Sequence, residues 1–143
     1  MKLLFPGNNA MLEIDVMSYQ HPNSTNFYDL NWLYCRAMCQ INSLKVTEFL
    51  SLLTTDFVEL QESIYAFQEH KSDIVEFQTL EEQLNFTIRR EKTTHIVIEG
   101  KISAMTTNRG VFNFKFDAEA LLFSTIESLE NIMLNFPIIQ GVE

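Results

Sequence analysis

Three histidines, two cysteines and a few close carboxylates are the residues of this sequence that could carry chemistry, and their spacing argues against a reaction centre. His21 precedes Pro22 in a turn-rich stretch, and His70 falls at the end of a helical period, where a cation suits the helix dipole. His95 and Glu99 share a strand face, but four residues of strand hold them about 13 Å apart, too far to ligate one metal. Cys35 and Cys39 have the same spacing in an apolar stretch, beyond disulfide reach, and read as reduced core thiols. Glu81–Glu82 and Glu13/Asp15 could be imagined as acid/base pairs. Strand alternation, however, places Glu13 and Asp15 on an exposed face opposite Leu12 and Ile14, the ordinary place for solvated charge. No Gly-x-Ser-x-Gly, Walker loop, His-Glu-x-x-His or Cys-x-x-Cys occurs. The expectation is no catalytic residue, no metal and no cofactor.

Composition narrows the class further. The chain has 143 residues, 46% of them hydrophobic, enough for one domain with a real core spanning residues 1–143. Twelve Phe against four Gly and three Pro leave little material for phosphate-cradling loops. The formal charge of −9, from 19 acids and 10 bases, disfavours direct nucleic-acid binding, which needs a basic face. It favours a basic protein partner. The apolar start Met1-Lys2-Leu3-Leu4-Phe5 stops at Pro6, short of the roughly 7–15 apolar residues of a signal peptide. No run approaches a membrane span of about 18 residues. The expected location is the cytoplasm, with no membrane partner.

The elements that must position these residues follow from periodicity. Leu12, Ile14 and Val16 alternate through a half-buried strand over residues 10–19. Residues 27–41 are continuously apolar and aromatic and read as a central strand covered on both faces. A further strand spans 43–54. Phe57, Leu60, Ile64 and Phe67 then recur at helical spacing, with Asp56 as N-cap and Glu59 completing a capping box. Strands are expected at 74–78, 83–91, 94–103 and 111–117, the last two joined by the loop Thr106-Thr107-Asn108-Arg109-Gly110. Ala118, Leu122, Thr125, Leu129, Ile132 and Phe136 make a second helical face, capped by Asp117 and ended by Pro137. No internal repeat is visible. The fold class is α+β: a mostly antiparallel sheet of about six to eight strands, with amphipathic helices at about 57–70 and 118–136.

Charge is uneven along this map. Residues 56–82 carry eight acids against Lys71 alone, while residues 83–115 are net basic, with Arg89, Arg90 and Lys92 at a solvated hairpin end. Glu59, Glu62 and Glu69 form a stripe displaced about 200° from the apolar face of the first helix. With Asp73, Glu76, Glu81 and Glu82 they are the candidate partner-binding residues. Asp29 and Asn31 sit inside the apolar run Tyr28-Asp29-Leu30-Asn31-Trp32-Leu33. Burying them costs several kcal/mol, of order 2–7, unless they are hydrogen-bonded, so they are expected to satisfy backbone groups.

That run carries a resemblance. Tyr19-Gln20-His21-Pro22 followed by Asp29-Leu30-Asn31-Trp32-Leu33 resembles the WapI family of bacterial immunity proteins. The order continues through Leu53-Thr54-Thr55, Glu82-Gln83-Leu84-Asn85-Phe86 and Phe136-Pro137, so it covers residues 11–137. Asp29, Asn31 and Trp32 are its most distinctive residues. Gln83 stands where the pattern favours Pro, and Ile138-Ile139 follow where a basic residue is expected. The resemblance implies a cytoplasmic, non-enzymatic antitoxin. Such a protein binds and blocks the toxic C-terminal domain of a WapA-type cell-surface protein, often a basic, RNA-degrading nuclease. The rival expectation is a small-ligand or catalytic pocket between sheet and helix, lined by aromatics and holding Asp29, Asn31 or His95. A third possibility is a homo-oligomer in which an exposed strand edge pairs with itself. The sequence leaves the oligomeric state open.

Overall fold

A computed structural model describes residues 1–92, 95–103, 110–118 and 123–141. In chain order these form β1 (Lys2–Gly7), β2 (Ala10–Tyr19), α1 (Phe27–Leu30), β3 (Trp32–Ile41), β4 (Leu44–Leu53), α2 (Thr54–Gln68), β5 (Ile74–Phe77), β6 (Leu84–Glu91), β7 (His95–Ser103), β8 (Val111–Ala118) and α3 (Phe123–Asn135). The fold is α+β, as expected. All eight strands join one antiparallel sheet in the order β4-β3-β2-β1-β8-β7-β6-β5. Each half of the chain is a four-stranded meander followed by a long helix. This is a repeat of topology that the sequence does not display.

The two meanders meet where Gly7 pairs with Ala118. Thr125 of α3 donates its hydroxyl hydrogen to the Leu4 carbonyl of β1 at 2.8 Å. The sheet is also curled. The Ser51 amide of β4 donates to the Gln83 side chain, one residue before β6, at 3.0 Å. Those strands are six places apart, which in a flat sheet would separate them by about 29 Å. Phe5 of β1 likewise meets Phe86 of β6, with ring centroids 5.4 Å apart. Curling turns the inner faces of both meanders toward one core. Leu3, Phe5, Leu12, Ile14, Leu33, Cys35, Phe86, Ile88, Ile98 and Phe114 share it with Phe57, Leu60, Ile64 and Phe67 of α2.

Several expected elements are corrected. The run 27–41 is not one strand. Asn26 accepts from the Tyr28 amide at 2.9 Å and nucleates the single turn α1, so β3 starts only at Trp32. Nor is β3 covered on both faces: Leu33, Cys35, Ala37 and Cys39 are fully buried, while Tyr34 is 39% exposed. The first long helix starts at Thr54, which puts Asp56 at its third position and not at the cap. The second is described over Phe123–Asn135; Asp117 and Ala118 belong to β8, so Asp117 is a strand residue where an N-cap was expected, and Leu122 lies outside the described residues. So do Thr93 and Thr106–Arg109 of the expected hairpin links. β1 went unread because Pro6 interrupts an already short alternation.

The seam demands a glycine. A Cβ on Gly7 would lie 2.5 Å from the Asp117 carbonyl oxygen and from the Phe116 ring. Gly7→Ala should therefore force β1 from β8 and lower stability by about 1–3 kcal/mol. An unchanged urea midpoint would show that the seam is not a tight contact.

Candidate functional site

The two long helices form a surface to which they contribute acids and no base. Neither α2 nor α3 contains a Lys or Arg. The two helices pack side by side, and Tyr65 of α2 donates its hydroxyl hydrogen to Glu130 of α3 at 2.7 Å. That bond raises the Tyr65 hydroxyl above the ordinary phenol range. On these helices Glu59 and Glu62 of α2 and Glu127 and Glu130 of α3 are exposed. Glu59, Glu62 and Glu127 have no Lys or Arg partner among the described residues. The apolar period of α2 forces this arrangement: Phe57, Leu60, Ile64 and Phe67 are buried at 0–1% exposure, which turns Glu59 and Glu62 to solvent. Glu127 and Glu130 were not among the sequence candidates. Their signal was a second long helix without a single base.

The other expected acids do not all join this surface. Glu69 follows α2 and is paired with Lys71 at 2.7 Å. Asp73 is bonded to Arg90 at 2.9 Å. Glu76 lies between buried Val75 and Phe77 in β5, so it points to the opposite face from α2. Glu81 and Glu82 are exposed in the turn before β6, with Glu82 in the left-handed region at φ 55°. The expected basic hairpin end is largely neutralised. Arg89 is held by Glu99 (2.9 Å) and Glu91 (3.2 Å). Arg90 lies over the Phe67 ring at 4.0 Å and donates to the Phe67 carbonyl at 2.9 Å, closing the C-terminus of α2.

The start of α2 holds a buried acid. Asp56 is 8% exposed and accepts from the Leu53 amide at 2.8 Å. Burial, more than the Glu59 charge, pushes its carboxyl up to about 6. The cysteines are equally inert: burial pushes Cys35 up to about 12 and Cys39 to about 11, so neither is a thiolate nucleophile at neutral pH. His95 is half-exposed and pairs with Asp117 at 3.0 Å. Among the described residues no three His, Cys, Asp or Glu converge as a metal site.

Asn31 is the most heavily bonded side chain of its region. It is 1% exposed and donates to the carbonyls of Phe27 (2.7 Å) and Ile139 (2.8 Å). Its oxygen accepts from the Thr54 hydroxyl and the Ile139 amide, both at 2.8 Å. The amide thus ties the end of α1, the start of α2 and the C-terminal segment, where Tyr19 also donates to the Pro137 carbonyl at 2.7 Å. Asp29 is exposed, with only the Ser24 hydroxyl at 3.4 Å, and Trp32 is half-buried. Asp29, Asn31 and His95 therefore do not converge on one pocket. Two surface depressions of about 380 and 300 Å³ lie elsewhere, at the hairpin turns around Asn9 and Asn42 and over Gly100 on the sheet.

Two outcomes are expected. Asn31→Ala strands the Ile139 backbone, the Phe27 carbonyl and the Thr54 hydroxyl, and should cost at least about 3 kcal/mol. Amide hydrogen exchange at Ile139 should accelerate with it; unaltered protection there would contradict the assignment. Asp56 has a folded pKa above its ordinary 3.8, so the folded state holds the extra proton. Its contribution to stability is complete below about pH 4 and is lost as pH rises through 6. Asn in its place keeps an acceptor for Leu53 without ionising. Wild type should therefore lose about 2–3 kcal/mol relative to Asp56→Asn between pH 4 and 7, as read from urea midpoints. Parallel pH profiles would refute the raised pKa.

A family model described as the immunity protein WapI-like family matches residues 2–137, nearly the whole chain. No curated protein matches it. Among solved structures, a chain from "Crystal structures of trypanosoma bruciei MRP1/MRP2" matches at 11% identity and a TM-score of 0.41. The match covers 94% of this chain and 81% of that one, and the likeness is too distant to bear on function.

Proposed function

The chain belongs to the immunity protein WapI-like family, an assignment that carries an immunity function, and from that premise we propose that it binds and neutralises a cognate toxin domain without catalysis of its own. The toxin fits a nuclease at the C-terminus of a WapA-type cell-surface protein, and the expected setting is the cytoplasm. No described helix is long and apolar enough to cross a membrane.

The observation that carries the reading is the base-free helix surface, with Glu59, Glu62, Glu127 and Glu130 exposed across α2 and α3. A nuclease must attract phosphate, so its active-site rim is basic. An acidic helix pair presented on a rigid core is complementary to such a rim. It speeds capture and sets orientation, while buried contacts at the centre supply most of the residence time. Of the sequence candidates, Glu59 and Glu62 fit this contact best. Glu69 and Asp73 are occupied by Lys71 and Arg90, and Glu76 faces away.

The test is protection and binding against the toxin domain encoded beside this gene. Wild type should bind with nanomolar or tighter affinity. Reversing Glu59, Glu62 and Glu127 together to Lys should weaken binding by at least about tenfold, chiefly through association rate, with the melting temperature little changed. Glu76→Lys should leave binding intact. If Glu76→Lys impairs protection and the triple variant does not, the contact lies on the sheet side and this surface assignment falls.

A further inference from the structure

The first meander ends in a ten-residue edge strand, and its backbone groups can be accounted for one by one. β4 pairs with β3 in unbroken register from Trp32↔Leu53 to Ile41↔Leu44. Antiparallel pairing sends the amides and carbonyls of alternate residues to opposite sides of the strand. The Ser51 amide points outward, since it donates to Gln83, and so does that of Leu53, which donates to Asp56. By the same parity Lys45, Thr47 and Phe49 also direct their backbone groups outward. No partner meets them among the described residues. The strand is therefore sealed by side chains over its last third and open over Lys45–Phe49.

The open stretch is symmetric about Thr47. We propose that it pairs with the same stretch of a second copy about a twofold axis through Thr47, joining two sheets into one continuous antiparallel sheet. Thr47 then faces Thr47 of the second copy, and Lys45 faces its Phe49, in narrow pairs that each exchange two hydrogen bonds. A twofold axis normal to the sheet keeps residues of one parity on one face, so only registers of this kind are open. An axis through Lys45 would oppose two ammonium groups. One through Glu48 would oppose two carboxylates and require the Ser51 amide, which Gln83 holds. The Thr47 axis uses every free group and opposes no like charges.

The side chains fit the same register. Phe49 is 54% exposed and stacks on Tyr34, with ring planes 4° apart and centroids at 5.6 Å. In the paired sheet the Lys45 ammonium of the second copy lies over that exposed ring, a cation–π contact. Val46 comes opposite Glu48, so no charge is driven against its like. The acidic helix surface takes no part in the pairing, which makes the assembly independent of the toxin contact.

Cysteine crosslinking tests the register directly, because both native cysteines are buried. Under mild oxidation Thr47→Cys should form a covalent dimer through its symmetric partner, since paired strand residues lie within disulfide reach. Lys45→Cys and Phe49→Cys should each form no covalent dimer alone and crosslink when mixed. Thr47→Pro removes an outward amide that β3 does not use, so it should keep the fold by circular dichroism and sediment as a monomer where wild type dimerises. Wild type that sediments as a monomer across the concentration series, with Thr47→Cys no more reactive than Phe49→Cys, would overturn the proposal. So would a monomeric wild type whose Thr47→Pro variant loses toxin binding, an outcome that gives this edge to the toxin.

Discussion

The bond between the Ser51 amide and the Gln83 side chain joins strands six places apart in the sheet, and the curl it records governs the rest of the molecule. A flat eight-stranded sheet would need a layer on at least one whole face to make a core. Curled, the two meanders supply most of that core to each other, and two helices complete it. Each helix buries one apolar stripe and leaves its other side at the surface, with Glu59 and Glu62 exposed on α2 and Glu127 and Glu130 on α3. Gly7 permits the seam between the two meanders, and Thr125 ties α3 to the β1 backbone at Leu4. Gln83 has a second consequence: by sealing Ser51 it defines where the open stretch of β4 ends.

Charge follows this architecture. The bases lie outside the two long helices. Those in the sheet are mostly neutralised locally: Arg36 by Asp15, Lys2 by Glu13, and Arg89 by Glu99 and Glu91. Arg90 is used structurally, over Phe67 and against the end of α2. On α2 and α3 the exposed carboxylates Glu59, Glu62, Glu127 and Glu130 have no base beside them on their own helices. A field of one sign on a rigid surface is what an electrostatically guided inhibitor requires, and it suits a family whose members act in immunity.

Much of this was legible before any coordinates. The burial of Phe57, Leu60, Ile64 and Phe67 follows from their spacing, and the strands expected over residues 10–19 and 111–117 match observed elements, but Glu13, expected on an exposed face, is buried at 8% exposure beside Lys2. The resemblance carried by Asp29-Leu30-Asn31-Trp32-Leu33 pointed to the family. Other features depend on contacts distant in sequence. The Asn31 side chain bonds Ile139, 108 residues away, so its role as a tie could be inferred only as a need for some partner. Which acids are free could not be read from composition, because the engagement of Asp73 and the facing of Glu76 are settled by strand pairing. Short elements failed for local reasons: Asn26 turns the start of an apolar run into α1, and Pro6 hides β1.

We propose that the acidic helix pair captures a basic toxin domain. The most direct measurement of this capture is the association rate of the wild-type chain with that domain over a series of salt concentrations. The expected result is stable one-to-one binding whose association rate falls steeply as salt rises, while dissociation changes little. An association rate indifferent to salt, or no binding at all, would contradict it.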